Sequence, residues 1–363
     1  MKRLVIVGVG ATQLSLLEGL AAGHVRAVDP VLISTASTYV HDGMQPGWLA
    51  GRHDEEAMSI DLGRVATRAG CRYIEADIRR IDAGSRTIEL SDGRTERWEA
   101  LSLSRSTVPS DARVTGAVEF TVPIGPMARA REIIPAIERA QRAFDQREIR
   151  IAVLGAGGRG FETACALRAR LRRDGTSATI MLVDGEPHLL PAFHPGARPL
   201  AARVLRRLNI GSALGARVAD LSRRGLRLNS GAIIPADVVI WTIGRAPAPG
   251  LTGSGLTLDE GGFLQCDETL RSVSHPDVFV AGESADMGTA LTDNVAAFCS
   301  EAPSPRFRRY HPPTRRLTLL DCGDGSALLA YGGLSREGRL AMRLKESLDR
   351  RFMSRFQRLA GAT

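Results

Sequence analysis

Three glycines near the middle of the chain have the spacing of a phosphate-binding turn. Gly155, Gly157 and Gly160 follow an apolar run at 151–154, and the residues from Phe161 onward have helical spacing. The first glycine permits a tight turn, the second lets a pyrophosphate approach the backbone, and the third lets helix and strand pack closely. Free N–H groups at the start of the helix would then face the phosphates. This pattern predicts a dinucleotide site.

An acidic residue supports that interpretation and specifies the nucleotide. Asp184 ends a second apolar run at 179–183 and stands 24 positions after Gly160 (184 minus 160). Its carboxylate would accept hydrogen bonds from a ribose diol and repel a 2′-phosphate, so NADH is favoured over NADPH. The alternative is an ordinary strand–turn–helix that binds no ligand.

A second turn of the same kind follows the first strand of the chain. Gly8 and Gly10 occupy the first two glycine positions after the run at 4–7, whereas Gln13 stands where the third glycine is expected. The next predicted strand ends in Ser34, which can form a hydrogen bond but carries no charge. The pattern predicts a second nucleotide-binding unit, and the alternative is the same fold without a bound nucleotide.

Composition excludes several classes of protein. The 363 residues, 44% of them apolar, are enough for more than one core. No apolar run is long enough to span a bilayer and no signal peptide precedes the first strand, so we expect a cytoplasmic protein. The net charge of +8 comes without a helix-turn-helix, zinc-finger or RNP pattern, which argues against nucleic acid. Five scattered cysteines and irregularly spaced histidines predict neither a metal site nor a redox dithiol.

The order of predicted elements indicates an α/β protein with two Rossmann-like three-layer domains, one inserted in the other. Apolar strands end at Gly244 and at Gly282–Glu283, and open α/β sheets bind ligands at that edge. The predicted domains are residues 1–112 with 248–300, residues 113–247, and a small C-terminal α+β region, 301–363. The turn-rich segment 42–51 is expected to be a loop that packs tightly, either against a flat ligand or as ordinary loop packing.

Residues 339–359 predict one basic amphipathic helix. Its apolar face is expected to comprise Leu340, Leu344, Leu348, Phe352, Phe356 and Leu359. Such a helix can lie on an anionic membrane surface, here the inner face of the membrane. It can equally dock on its own domain or on a second subunit in a homodimer, and the sequence leaves these alternatives open.

Taken together, the motifs resemble those of the FAD-dependent pyridine nucleotide-disulfide oxidoreductases, which include type II NADH dehydrogenases. More narrowly, the chain is similar to the flavin oxidoreductase domain fused to selenide, water dikinase in some bacteria. The closer match is carried by four stretches: Gly43-Met-x-Pro-Gly-x-x-Ala-Gly51, Ile60-Asp-Leu62, Thr269-Leu-Arg-Ser-Val-Ser-His-Pro-Asp-Val-Phe279 and Arg343-Leu-Lys-x-x-x-Asp-Arg-Arg-Phe-Met-x-Arg-Phe356.

The resemblance implies a role for each matching residue. It places the pyrophosphate of FAD at Gly8 and Gly10, Glu283 on the ribityl chain, and NADH on the 155–160 turn. It also implies that Glu162, the catalytic candidate, lies near the nicotinamide. Three residues are expected near the flavin: Gly43, Met44 and Pro46. The departures from the family pattern all fall on the FAD side: Gln13, Ser34, Ser106, Glu283 in place of Asp, and a shortened 286–297 region.

The function implied is transfer of hydride from NADH to FAD and on to a small electron acceptor such as a quinone. Hydride transfer needs orientation and electrostatics from the protein more than side-chain chemistry. The alternative is a degenerate member with impaired FAD binding that acts as a nucleotide-binding or regulatory protein.

Overall fold

The computed structural model describes residues 1–104, 107–108, 114–144, 147–244, 246–247, 250–282, 285–300 and 302–361. Two positions singled out above, Ser106 and Glu283, lie outside the described residues.

Strands and helices alternate along most of the chain. The described strands are β1 (Lys2–Val7), β2 (Val28–Ser34), β3 (Thr38–Val40), β4 (Ser59–Asp61), β5 (Arg72–Glu75), β6 (Ile78–Asp82), β7 (Thr87–Leu90), β8 (Thr95–Arg97), β9 (Ala100–Ser104), β10 (Thr107–Val108), β11 (Val122–Pro123), β12 (Ile149–Leu154), β13 (Ala178–Asp184), β14 (Ile210–Leu214), β15 (Val218–Ser222), β16 (Gly225–Leu228), β17 (Ile233–Ile234), β18 (Val238–Trp241), β19 (Ala246–Pro247), β20 (Val278–Ala281), β21 (Leu317–Asp321), β22 (Ala327–Tyr331) and β23 (Leu334–Gly338). The described α-helices are α1 (Ala11–Ala21), α2 (Gln45–Leu49), α3 (Leu62–Arg68), α4 (Ala117–Phe120), α5 (Met127–Ala130), α6 (Ile133–Ala143), α7 (Gly158–Arg173), α8 (Ala197–Arg207), α9 (Gly288–Cys299) and α10 (Arg339–Leu359).

The first parallel sheet has the strand order β20-β9-β1-β2-β5. Successive side chains of a strand point to opposite faces, so Leu4 and Ile6 pack against α1, α3, α9 and α10 while Val5 packs against the β6–β8 hairpins. Because β20 comes from residues 278–281, this sheet joins segments on both sides of the intervening chain. The domain limits themselves remain predictions.

The second parallel sheet repeats that arrangement with the order β11-β18-β12-β13-β14. Ile151 and Val153 pack on the side of α6, α7 and α8, whereas Ala152 and Leu154 pack against the antiparallel strands β15–β17. Each unit is therefore three layers deep, with helices on one face and antiparallel strands on the other. The predicted fold class, two Rossmann-like α/β units with a small α+β region, is confirmed.

Segment 42–51 differs from the expected loop. Residues Asp42–Met44 form a 3-10 turn and Gln45–Leu49 form helix α2. Pro46 stands in the first turn of this helix, where its missing N–H costs no hydrogen bond. The glycines on either side of Trp48 had suggested irregular structure, but a short helix fits the same composition.

The C-terminal region consists of the antiparallel sheet β21-β22-β23 and helix α10. The predicted bounds of the helix, 339–359, are those of α10. Its predicted apolar face is wrong, however, because Leu340, Leu344 and Leu348 are exposed while Phe356 is buried. Each step of four residues advances about 40° around a helix of 3.6 residues per turn, so Leu340 and Phe356 lie about 160° apart.

The buried stripe of α10 runs instead through Met342, Lys345, Met353 and Phe356. Met342 packs with Leu319 and Leu329 of the small sheet, and Phe356 enters the core of the first unit. The helix thus docks within its own chain. Among the described residues no helix has the length and apolarity to cross a lipid bilayer.

Candidate nucleotide and redox site

The glycine turn of the second sheet has the geometry that its spacing predicts. Gly155 has a φ of +111°, and a Cβ on it would lie 2.6 Å from Oγ1 of Thr242. A Cβ on Gly160 would lie 1.7 Å from the carbonyl oxygen of Gly155, which is the close helix–strand contact that only glycine permits. Beside Gly157, in contrast, the space is open. Helix α7 begins directly after Gly157, and no side chain caps that end in the described structure.

Asp184 lies at the edge of the same turn. One carboxylate oxygen accepts a hydrogen bond from the backbone N–H of Ala156. The other accepts one from the backbone N–H of Glu186 at 2.8 Å. These bonds fix the carboxylate next to the glycine turn, and each oxygen keeps a further lone pair for a ribose hydroxyl. Gly244, with a φ of +73°, follows β18 at the same edge of the sheet and is exposed.

The glycine turn of the first sheet is filled by a side chain. Gly8 has a φ of +69°, and Gly10 precedes the first residue of α1. Gln13 is fully buried: its Oε1 accepts a hydrogen bond from the Gly10 N–H at 3.0 Å, and its Nε2 donates to the carbonyl of Val7 at 3.4 Å. The residue that replaces the third glycine therefore occupies the N-terminal end of α1.

Of the other residues predicted around this first turn, Gly282 lies beside Gly10 at the carboxyl edge of the sheet. A Cβ on Gly10 would lie 3.6 Å from the carbonyl oxygen of Gly282 and 3.8 Å from Oγ of Ser104. Ser34 ends β2 as predicted, but its hydroxyl donates to the carbonyl of Ala36 at 3.0 Å in a local turn. Met44 is buried in the helix-side core of this unit and Pro46 borders a cavity.

That cavity has a volume of about 320 Å³ and lies between segment 42–49, the start of α7 and strand β21. Its wall combines apolar side chains with one carboxylate. The lining residues include Pro46, Leu49, Ile124, Glu162, Phe193 and Leu320. The cavity adjoins the N-terminal end of α7, because Gly158 and Arg159 also line it.

Glu162 borders the cavity; its predicted place near the nicotinamide stays a prediction. Its Oε1 accepts a hydrogen bond from the backbone N–H of Asp321 at 2.8 Å. Burial raises the pKa of Glu162 to about 7, against the opposing influence of the Lys345 ammonium. Asp321 in turn forms an ion pair with Arg52. The carboxyl group can therefore hold or release a proton near neutral pH.

A largely buried polar cluster lies behind Gly43 and includes two residues of helix α10. The sequence did not predict this cluster. Lys345 donates to the carbonyl of Gly43 and, at 2.8 Å, to Asp349, which is 3.0 Å from Nε2 of His41. Burial alone would raise the pKa of Asp349, but His41 and Lys345 hold it below its usual range. A Cβ on Gly43 would lie within 2.9 Å of both His41 and Asp349.

Those contacts give Gly43 a packing role whatever it binds. The signal in the sequence was a lysine and an aspartate four residues apart, within a motif quoted above for the family resemblance.

None of the five cysteines, all within the described residues, forms a disulfide. Burial raises the pKa of Cys322 to about 12 and that of Cys165 well above its usual range. Among the described residues no three His, Cys, Asp or Glu side chains are grouped to hold a metal ion.

Most of the chain is similar to one known protein family. Residues 2–300 match the family model of the pyridine nucleotide-disulphide oxidoreductases. An NADH dehydrogenase-like protein of Mycobacterium tuberculosis (strain ATCC 25618 / H37Rv) is 28% identical over 299 residues, which cover 78% of this chain and 73% of that protein. The type II NADH:quinone oxidoreductase of the same strain is 29% identical over 174 residues, covering 42% of this chain and 38% of that protein.

Two solved structures share the fold over nearly the whole chain. The sulfide:quinone oxidoreductase of Aquifex aeolicus superposes with a TM-score of 0.81 at 14% identity, covering 99% of this chain and 92% of that one. NDH2 of Plasmodium falciparum, solved with NADH, gives a TM-score of 0.80 at 11% identity, covering 98% and 97%. At these identities the likeness shows the fold.

Members of the family use FAD and NADH. Among the described residues of the first sheet, Gln13 and the uncharged Ser34 depart from the FAD pattern. The turn at Gly8, the uncrowded backbone at Gly10 and the adjoining Gly282 suit a pyrophosphate, but the Gln13 amide stands in the same place. The second sheet shows no such departure from an NADH site. By its match over residues 2–300, the chain belongs to the pyridine nucleotide-disulphide oxidoreductase family and is an oxidoreductase.

Proposed function

We propose that this protein oxidises NADH, passing a hydride to FAD and then electrons to a small acceptor such as a quinone, without a redox dithiol. The observation that carries the proposal is the complete second turn: an uncapped helix α7, open space beside Gly157, and the Asp184 carboxylate bonded to the turn. The start of α7 also lines the cavity that Glu162 borders.

Each of these residues has a distinct task. The N–H groups at the start of α7 bind the pyrophosphate and Asp184 accepts hydrogen bonds from the adenosine ribose. Apolar Leu49 and Leu320 exclude water from the cavity, where Glu162 holds a proton near neutral pH. FAD, when bound, supplies a ring that accepts a hydride. On the first sheet Gly8, Gly10 and Gly282 would hold it, with the segment from Gly43 to Pro46 beside it.

A small acceptor fits the thiol chemistry better than a protein disulfide. A thiolate is the nucleophile in disulfide exchange, and burial keeps Cys165 and Cys322 protonated at neutral pH. Neither thiol is therefore poised to relay electrons, so the acceptor must reach the cavity itself.

The proposal is tested on the purified full chain by its absorption spectrum and by NADH oxidation with a soluble quinone. We expect flavin absorption bands, and NADH consumption that the quinone accelerates. Asp184→Ala should weaken NADH binding about 10-fold or more, since it removes charge-assisted hydrogen bonds. It should also reduce the preference of the protein for NADH over NADPH. A colourless protein that added FAD does not make active would refute the proposal.

A second candidate function rests on Gln13. A chain whose first turn is occupied by its own amide group could bind NADH alone and act as a nucleotide-binding or regulatory protein. That alternative predicts tight NADH binding in protein that contains no flavin and gains none on reconstitution.

Three further points belong to the proposal. We propose contact with the inner face of a membrane through α10, whose Leu340 is 78% exposed and whose Leu344 and Leu348 are each 39% exposed. The predicted division at 1–112 with 248–300, 113–247 and 301–363 is proposed as the domain structure. The narrower relationship to the flavin oxidoreductase domain fused to selenide, water dikinase remains a prediction. The formation of a homodimer also remains a prediction.

A further inference from the structure

The two glycine turns of this chain differ at one matched position. Gln13 and Gly160 each stand three residues after the residue that precedes a helix, Gly10 for α1 and Gly157 for α7. In α7 this position contacts backbone and the helix end stays open. In α1 a side chain turns back to the backbone N–H of Gly10, at 3.0 Å.

The bond made by Gln13 uses the group that a phosphate would need. Helix N-termini bind anions because their first N–H groups have no partner within the helix. The amide oxygen of Gln13 carries partial negative charge and satisfies one of these donors, as glutamine does in a capping box. A pyrophosphate oxygen and the Gln13 oxygen cannot both take the Gly10 N–H in good geometry.

The surroundings of Gly10 are close but not overlapping. The nearest neighbour that a Cβ on Gly10 would meet is Oε1 of Gln13 itself, at 3.5 Å, followed by Gly282 and Ser104. The Gln13 amide is therefore the nearest group to Gly10, and the Gly282 carbonyl oxygen is nearly as close at 3.6 Å. Gln13 is fully buried. Its departure breaks two hydrogen bonds, one to the Gly10 N–H and one to the Val7 carbonyl.

We propose that the Gln13 side chain is an internal ligand of the first turn that must leave before the pyrophosphate of FAD binds. This inference rests on the proposed function. Gln13 then sets the affinity for FAD, which binds more weakly and exchanges more readily than in a chain with glycine there.

The test compares the full chain, stripped of flavin, with Gln13→Ala and Gln13→Glu, and measures FAD dissociation constants by quenching of flavin fluorescence. Gln13→Ala removes the competitor, so FAD should bind roughly three- to tenfold more tightly, the range expected for one hydrogen bond. Gln13→Glu keeps the shape but adds a negative charge, so FAD should bind about tenfold more weakly. NADH affinity, measured on the same samples, should stay unchanged because the second turn is untouched.

The outcomes separate this inference from the proposed function. Equal FAD affinity in all three proteins would overturn the role of Gln13 while leaving the flavoenzyme intact. FAD binding that weakens in Gln13→Ala would overturn it too, provided thermal melting shows that variant folded. Failure of all three proteins, including Gln13→Ala, to bind FAD would reject both ideas.

Discussion

Glu162 shows how one carboxyl group acquires a pKa near neutrality. It lies in the first turns of α7, at a position with no special local requirement for glutamate. Strand β21 covers it, and the backbone N–H of Asp321 donates a hydrogen bond to it at 2.8 Å. Burial disfavours the charged form more than the single hydrogen bond and the nearby Lys345 favour it. The sequence alone predicted Glu162 as a site residue, whereas its protonation near neutral pH depends on the strand that covers it.

A pH-dependent stability follows from that pKa. The folded protein holds the Glu162 proton up to about pH 7, whereas the unfolded chain releases it near its ordinary value of 4.5. The contribution of this group to stability is thus lost as pH rises from about 4.5 to about 7, by about 3 kcal/mol. Glu162→Gln cannot ionise, so its stability relative to the original protein should rise by about that amount over the same window.

Urea unfolding at pH 5 and pH 8 measures this difference. Glu260→Gln, at an exposed position, is the matched control and should show no such trend. If the stabilities of the original protein and Glu162→Gln stay parallel between the two pH values, the protonation assigned to Glu162 is wrong.

At the scale of elements, α10 acts as a clamp on the first unit. Lys345 stands in its buried stripe because it has partners there: it bonds to Gly43 and to the partly buried Asp349, which bonds to His41. The His41 ring also stacks on Phe352, with ring centroids 4.4 Å apart. The helix therefore fixes segment 42–49, which forms one wall of the cavity.

Lys345→Met should destabilise the protein by about 2–4 kcal/mol, because it leaves the largely buried Asp349 without its ammonium partner. Chemical unfolding of the full chain measures the loss. Arg343→Met, two residues earlier on the exposed side of α10, is the control and should change stability by less than about 0.5 kcal/mol.

A double variant sharpens the interpretation. Adding Asp349→Leu to Lys345→Met removes the carboxylate that has lost its lysine and should recover part of the loss, since replacing both partners is often nearly neutral. Were Lys345→Met no more harmful than Arg343→Met, the clamp would be a solvated contact instead.

At the scale of the whole molecule, docking of α10 leaves an apolar stripe of Leu340, Leu344 and Leu348 facing outward. These leucines are spaced four residues apart on the first half of the helix, and Arg343 and Arg351 are exposed close by. Apolar side chains beside arginines suit an anionic lipid surface. The surface opposite the docked stripe is therefore the part of α10 for which we propose membrane contact.

Replacing all three leucines with serine should reduce binding to vesicles of phosphatidylglycerol and phosphatidylcholine at least tenfold, because three apolar anchors are lost. Flotation of the full chain with the vesicles measures it, at low and high salt. Val118→Ser with Ile233→Ser removes exposed apolar residues elsewhere and should leave flotation unchanged. Equal flotation of all three proteins would exclude this stripe as the contact.

The sequence by itself determined the two glycine turns, the place of Asp184 and the extent of α10. These features depend on local conformation: a positive φ, a close approach that only glycine allows, or apolar spacing along one helix. For the same reason the exchange of glycine for Gln13 was visible in the sequence, although its hydrogen bond was not.

Only the tertiary structure decided what surrounds those features. Lys345 reaches the carbonyl of Gly43 across 302 positions, and Asp321 reaches Glu162 across 159. Such contacts depend on how sheets and helices assemble, and residue spacing carries no information about partners so distant. The exposed leucines of α10 were misassigned for the same physical reason: which side of a helix is buried is set by what it packs against.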